Sequence, residues 1–135
     1  MKLFTKKKTG VDRVTTRVTY PAGVAIDTEG GVYFILKSGA RVKCFSQRVV
    51  DSWRFDLVPG SLASVAGHPY QGNLGFRDGT LINNIADGKI YLISGQLRRH
   101  VTSPDVFVKL GLDRAAVIEV SDEETNLHKE GAPLN

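Results

Sequence analysis

The sequence predicts an α+β fold: two tandem repeats, each a β-hairpin plus a short helix, sharing a small, mostly antiparallel sheet architecture and preceded by an N-terminal arm and strand. Three observations lead there. Residues 87–135 read as a hairpin, a capped helix, a short strand and a second capped helix, each element agreeing with its neighbours. A degraded version of the same text lies upstream, over residues 23–82, at a period of about 55 residues. In front of both, Arg13–Tyr20 alternates Val14, Thr16, Val18 and Tyr20 against Arg13, Thr15, Arg17 and Thr19, the pattern of a half-buried strand. The expected divisions are residues 1–22 (arm and strand), 23–78 (degenerate first repeat) and 79–135 (intact second repeat).

In the second repeat, Ile90 and Leu92 alternate with Tyr91 and Ile93 between Asp87-Gly88 and Ser94-Gly95. Arg98–Thr102 follows as the return strand, across a longer-than-minimal loop. Ser103-Pro104-Asp105 starts a helix: a hydroxyl to cap a free amide, a proline fixed for the first position, and an acid at the positive end of the dipole. Val106, Phe107 and Leu110 share one face, and Gly111 can take the left-handed conformation that ends the helix. Val117–Val120 is a short apolar strand. Ser121 and Glu124 then form a capping box.

The first repeat follows the same order. Gly23–Ile26 answers to Gly79–Ile82, Gly31–Ile35 to Lys89–Ile93, and Gly30 to Gly88. Arg41 matches Arg98, Ser46 matches Ser103, Val50 and Trp53 match Phe107 and Leu110, and Asp56 matches Asp113. The hairpin loops differ by one residue, a change that loops tolerate. Arg54 stands where the second repeat has Gly111, so a left-handed cap there is strained. The second capping box has no evident partner, and Pro59-Gly60 with Gly67–Asn73 break any helix. Ala66–Arg77 is therefore expected to be a long irregular loop and a place for a private contact.

Composition is that of a globular chain, 41% hydrophobic and 24% charged, with a net charge of +4 that permits an acidic partner without demanding nucleic acid. The opening residues are charged but lack the apolar segment of a signal peptide, which predicts a chain made in a cytoplasm. Nothing is long and apolar enough to suggest a membrane partner. Lys6, Lys7 and Lys8 form either a solvated tail or a cluster able to touch acidic neighbours. The strand after them can pair within its own domain or add to a neighbour's sheet edge. Cys44 is alone, so it forms no internal disulfide, and an inward-facing strand position accounts for it.

The chemistry of a catalyst is missing from the text. His68, His100 and His128 stand at unrelated positions without metal-ligand spacing, no G-x-S-x-G elbow occurs, and the glycine-rich pieces are turns rather than phosphate loops. The reading is a non-enzyme with no cofactor, no metal and no small-molecule substrate. What remains are surfaces. Candidate partner-binding residues are Lys6, Lys7 and Lys8, Arg13 and Arg17, and two equivalent basic ribbons of Arg41 and Lys43 (with Arg48 beside them) and of Arg98, Arg99 and His100. The bland account of the ribbons is a row of solvated outer-face cations that deter edge pairing. Tyr70 and Phe76, in the irregular loop, are candidate exposed aromatic anchors; Trp53 reads as core.

The second repeat resembles a short repeat of bacterial surface proteins and of tailed-bacteriophage proteins. The resemblance is carried by Tyr91-Leu92-Ile93, Gly95, Arg98-Arg99, Ser103-Pro104-Asp105-Val106-Phe107, Gly111, Val120-Ser121-Asp122-Glu123-Glu124 and Gly131-Ala132-Pro133-Leu134. It covers Gly79–Leu134 well and Gly23–Phe76 loosely, and leaves out the first twenty-odd residues. It implies an attachment or packing module. For a short chain without a signal, it implies a virion component (head decoration, collar or tail-associated) whose partners are other virion proteins or copies of itself. A cell-surface or cell-wall-polymer binding module is the alternative, and nucleic-acid binding ranks third.

Overall fold

The computed structural model describes residues 13–135, so Lys6, Lys7 and Lys8 lie outside the described residues. These residues form nine strands and four short helices in two mixed sheets. Each repeat builds a sheet of its own on its hairpin, the α+β arrangement that the sequence predicts. The reason is visible in the connections: in each repeat the strand after the helix returns parallel to the first strand and closes a sheet of its own.

The first repeat runs β1 (Ala25–Thr28), β2 (Gly31–Ile35), β3 (Arg41–Cys44), α1 (Gln47–Trp53), β4 (Leu57–Pro59), α2 (Leu62–Val65) and β5 (Tyr70–Leu74). The second runs β6 (Leu81–Asn84), β7 (Ile90–Ser94), β8 (Leu97–His100), α3 (Pro104–Leu110), a 3-10 turn at Arg114–Ala116, β9 (Ile118–Val120) and α4 (Asp122–Thr125). Strand order is β4-β1-β2-β3-β5 in one sheet and β8-β7-β6-β9 in the other. Registers match residue for residue. Ile26 faces Tyr33 as Ile82 faces Tyr91. Tyr33 faces Lys43 as Tyr91 faces His100, and Ile26 lies beside Val58 as Ile82 lies beside Ile118. Tyr33 and Tyr91 thus hold equivalent places, and the duplication is real at the level of the backbone.

By contacts the chain divides into two compact units, which follow the repeats with two exceptions: α1, with residues 45–54, and the lead-in residues 74–78 belong to the second unit. In the first unit Ile26, Tyr33, Ile35 and Val65 form the core, with Tyr20 and Val24 packed against it. In the second, Leu81, Val101, Val106 and Phe107 form a core under α3, with Ile90, Leu92 and Leu134 around it. Cys44 is buried, as its strand position predicted, and burial pushes its thiol up to about 11.

Several local expectations need correction. Arg13–Tyr20 enters no ladder and bends at Thr16; Val14 and Thr16 are exposed. Its hydrogen bonds go to α2 instead, with Val18 N–H donating to Ser64 O at 2.9 Å and Ser61 Oγ donating to Val14 O at 2.5 Å. A period of two in the sequence does not by itself place a strand alongside. Ala66–Arg77 is not irregular, because β5 occupies Tyr70–Leu74 at the sheet edge beside β3. The second hairpin turns tightly through Gly95 and Gln96, both left-handed at φ 60 and 65, rather than through a long loop. A capping box is present in the first repeat too: Ser61 accepts from Ser64 N–H at 3.1 Å, and Ser64 Oγ accepts from Ser61 N–H at 3.0 Å. Serine at the third helical position is short, but here it still reaches back. Arg54 adopts the left-handed cap in spite of its side chain (φ 56), as Gly111 does at φ 68. Ser103 makes no side-chain cap bond, and Leu110 faces outward, 48% exposed.

Candidate functional site

The residues that chemistry would single out first are the histidines, and two of them are one feature built twice. In the first unit, His68 Nε2 accepts from Tyr20 N–H at 3.0 Å while Nδ1 bonds Gly39 O at 2.6 Å. In the second, His128 Nε2 accepts from Phe76 N–H at 2.9 Å while Nδ1 bonds Gln96 O at 2.8 Å. Each ring is buried and lies 6.0 Å from the aromatic ring whose amide it binds. Each one clasps the entry of its repeat to the tip of its hairpin. The two bonds fix one tautomer, with the proton on Nδ1. Burial pulls the His128 pKa below its ordinary value, outweighing the Gln96 carbonyl that favours the cation. The expectation that these histidines are unrelated is thus corrected. A signal was present, because each stands seven residues after its capping serine, Ser61 or Ser121.

The arginines of the proposed basic ribbons are equally architectural. Arg41 donates through Nη1 to the carbonyls of Val65 and His68, and its backbone N–H donates to Pro69 O. Arg98 donates through Nη1 to His128 O, and its N–H to Lys129 O. Each guanidinium also lies over the tyrosine of its own hairpin, Tyr33 at 5.4 Å and Tyr91 at 5.6 Å. Both Nε atoms are buried without a partner. A guanidinium that closes a loop on carbonyls is not a solvated outer-face cation, so the outer-face reading of Arg41 and Arg98 is corrected.

The other candidates scatter. Arg13 is tied to Asp27 and to the Gly60 carbonyl, and Arg17 lies along Gly67. Lys43 lies against Gly31. Arg99 donates through Nε to Ala132 O at 2.8 Å, and the His100 ring sits 5.7 Å from that of Tyr91. Tyr70 is exposed (55%), with the Arg41 guanidinium over its ring. Phe76 is fully buried, which overturns its role as an exposed anchor: it is the aromatic partner of the His128 clasp. Of the described candidates, Arg41, Arg98 and Phe76 belong to the two internal closures, and the others are held by separate contacts.

Sequence reasoning missed how α1 is held in the second unit. Trp53 Nε1–H donates to Gly75 O at 2.8 Å, and Ser52 Oγ accepts from Arg77 N–H at 3.3 Å. Ser46 Oγ donates to Glu124 at 2.5 Å, and Arg48 pairs with the same carboxylate at 3.2 Å. Burial pushes Glu124 up, but the Ser121 amide, the two serine hydroxyls and Arg48 together hold its pKa below the ordinary value. Alongside α1 opens a cleft of about 610 Å³, whose charges balance: Arg48, Arg54 and Arg77 against Asp51, Asp78 and Glu119. Its walls continue into Ile118 and Leu81, so it is a seam beside a helix rather than a site with a charge of its own.

Among the described residues, no three His, Cys, Asp or Glu side chains gather where they could hold a metal ion, and no helix is long and apolar enough to cross a membrane. The outer surface instead carries apolar side chains: Val108 (86% exposed) and Leu110 on α3, Leu57 (42%) and Val58 (38%) on β4. No protein-family model, no curated protein and no solved structure matches this chain.

Proposed function

We propose that this chain is a non-catalytic structural subunit, a component of a tailed-bacteriophage particle, that acts by binding neighbouring protein subunits. One observation supports the reading above the rest: Val108 stands 86% exposed on α3, with Leu110 at 48% on the same short helix. Two apolar side chains exposed on one short helix offer a surface that a neighbouring subunit could cover. The groups able to react with a ligand are meanwhile committed inward, His68 and His128 to amide and carbonyl groups, Arg41 and Arg98 to carbonyls. The repeat text from Tyr91 to Leu134, with its resemblance to attachment modules of tailed phages, supplies the virion context.

Wall-polymer binding has less support, since it needs the basic ribbons turned outward. Mass spectrometry of purified particles from a phage encoding the chain tests the proposal. Stoichiometric recovery that survives a high-salt wash is the expected result. Absence from particles, together with salt-sensitive retention on teichoic-type polymer, moves the assignment to the wall-binding module.

A further inference from the structure

On the reading that this chain binds protein neighbours, we propose that it associates head to tail with a second copy of itself. Helix α3 of one molecule packs on Val18–Pro21 and β4 of the next. The duplication carries the argument. Helices α1 and α3 are counterparts, and so are the lead-in segments 74–77 and 18–21, each entering its repeat just before Gly79 or Gly23. In the second unit the α1 face covers its lead-in, and Gly75 and Phe76 are buried beneath it. The counterparts on the first repeat are more open: Thr19 and Pro21 are exposed, and Tyr20 is only half-buried. On β4, Leu57 and Val58 are also exposed. On α3, Leu110 takes the place of Trp53 and is open, with Val108 more open still on the same helix. Each molecule thus carries a spare helix face and a spare lead-in of the kind that pair inside the second unit.

The residue changes between the two repeats compensate in pairs. Ser52 accepts from the amide of Arg77; their counterparts are Lys109, with no acceptor, and Pro21, with no amide to satisfy. Asp51 and Ile118 line the same seam; their counterparts are Val108 and Val58, an apolar pair. Trp53 becomes Leu110, which keeps an apolar filler and drops the indole donor. Such a contact is heterologous, joining two different patches, and repeats into a ring or a filament.

Two measurements on the full chain test this. In sedimentation equilibrium the expected mass rises with concentration, and the double variant Val108→Asp, Leu110→Asp weakens association by at least about tenfold. Both positions are exposed, so circular dichroism should show that variant folded. In oxidative cross-linking, Thr19→Cys chains mixed with Lys109→Cys chains should give a mixed disulfide dimer that neither gives alone. Cys44, buried with its thiol pushed up to about 11, does not compete. A concentration-independent monomer overturns the proposal, and so does a dimer from Lys109→Cys alone, which would put α3 against α3. The parent reading is scored separately: a chain found in particles yet monomeric and uncross-linked loses the head-to-tail contact and keeps the virion role.

Discussion

The two repeats close themselves with the same side chains yet seat their helices differently. His68 and His128 join lead-in to hairpin tip with bonds of 2.6–3.0 Å in both repeats, and Arg41 and Arg98 both close on the histidine's own carbonyl. Helix α1, in contrast, anchors through Trp53, Ser46 and Arg48 in the second unit, while α3 keeps Val106 and Phe107 in the core and leaves Val108 and Leu110 outside. What was kept through divergence is the closure of each hairpin. What changed is the helix surface.

The clasps should therefore be the most expensive features to break, and similar in the two repeats. Replacing His128 or His68 with leucine removes the ring's bonds to an amide and to a part-buried carbonyl and leaves a cavity, and each change should cost about 2–4 kcal/mol in urea unfolding. A loss at one site several times that at the other would break the equivalence. The next largest effect is expected at Gly75, where an added Cβ would lie 2.5 Å from His128 Nε2. Gly75→Ala should cost about 1–3 kcal/mol in the same assay, whereas Thr19→Ala, exposed in the first repeat, should stay within about 0.5 kcal/mol.

The helix ends give a smaller, opposite pair. Arg54 bears a left-handed cap that Gly111 bears without a side chain. Arg54→Gly should stabilise the protein by up to about 1 kcal/mol and Gly111→Ala should destabilise it by a similar amount, as read from the thermal midpoints.

The pH dependence sharpens the comparison further. The folded His128 pKa lies below the ordinary 6.5, so the native state disfavours the proton. The stabilisation is complete above 6.5 and is lost as pH falls through the folded value, because the unfolded chain binds the proton first. Thermal midpoints should fall between pH 7 and 5, and His128→Leu should remove that component of the slope. An unchanged slope in the variant would assign the effect elsewhere. Glu124, also lowered, contributes only in the separate window below its ordinary 4.5.

Much of the architecture was legible because its signals are local. The Tyr33 and Tyr91 hairpins, the Ser121–Glu124 box and the Gly111 cap each follow from residues within one turn or one pair of strands. What stayed hidden depends on distance along the chain. Nothing near Arg41 or Arg98 announces that its target is a carbonyl about thirty residues later. β5 was obscured by Gly72 and Pro69, residues that an edge strand tolerates. Phe76 is buried by a histidine 52 residues away, and α1 by contacts to Gly75 and Glu124 that no periodicity encodes.

Ring-nitrogen NMR of the folded chain bears most directly on the central claim of duplicated closure. Long-range proton–nitrogen spectra should give His68 and His128 the same neutral Nδ1–H form at pH 8, each Nε2 accepting from an amide, with His100 apart from both. Two histidines in different tautomers, or either one averaging between forms as a solvent-exposed ring does, would contradict it.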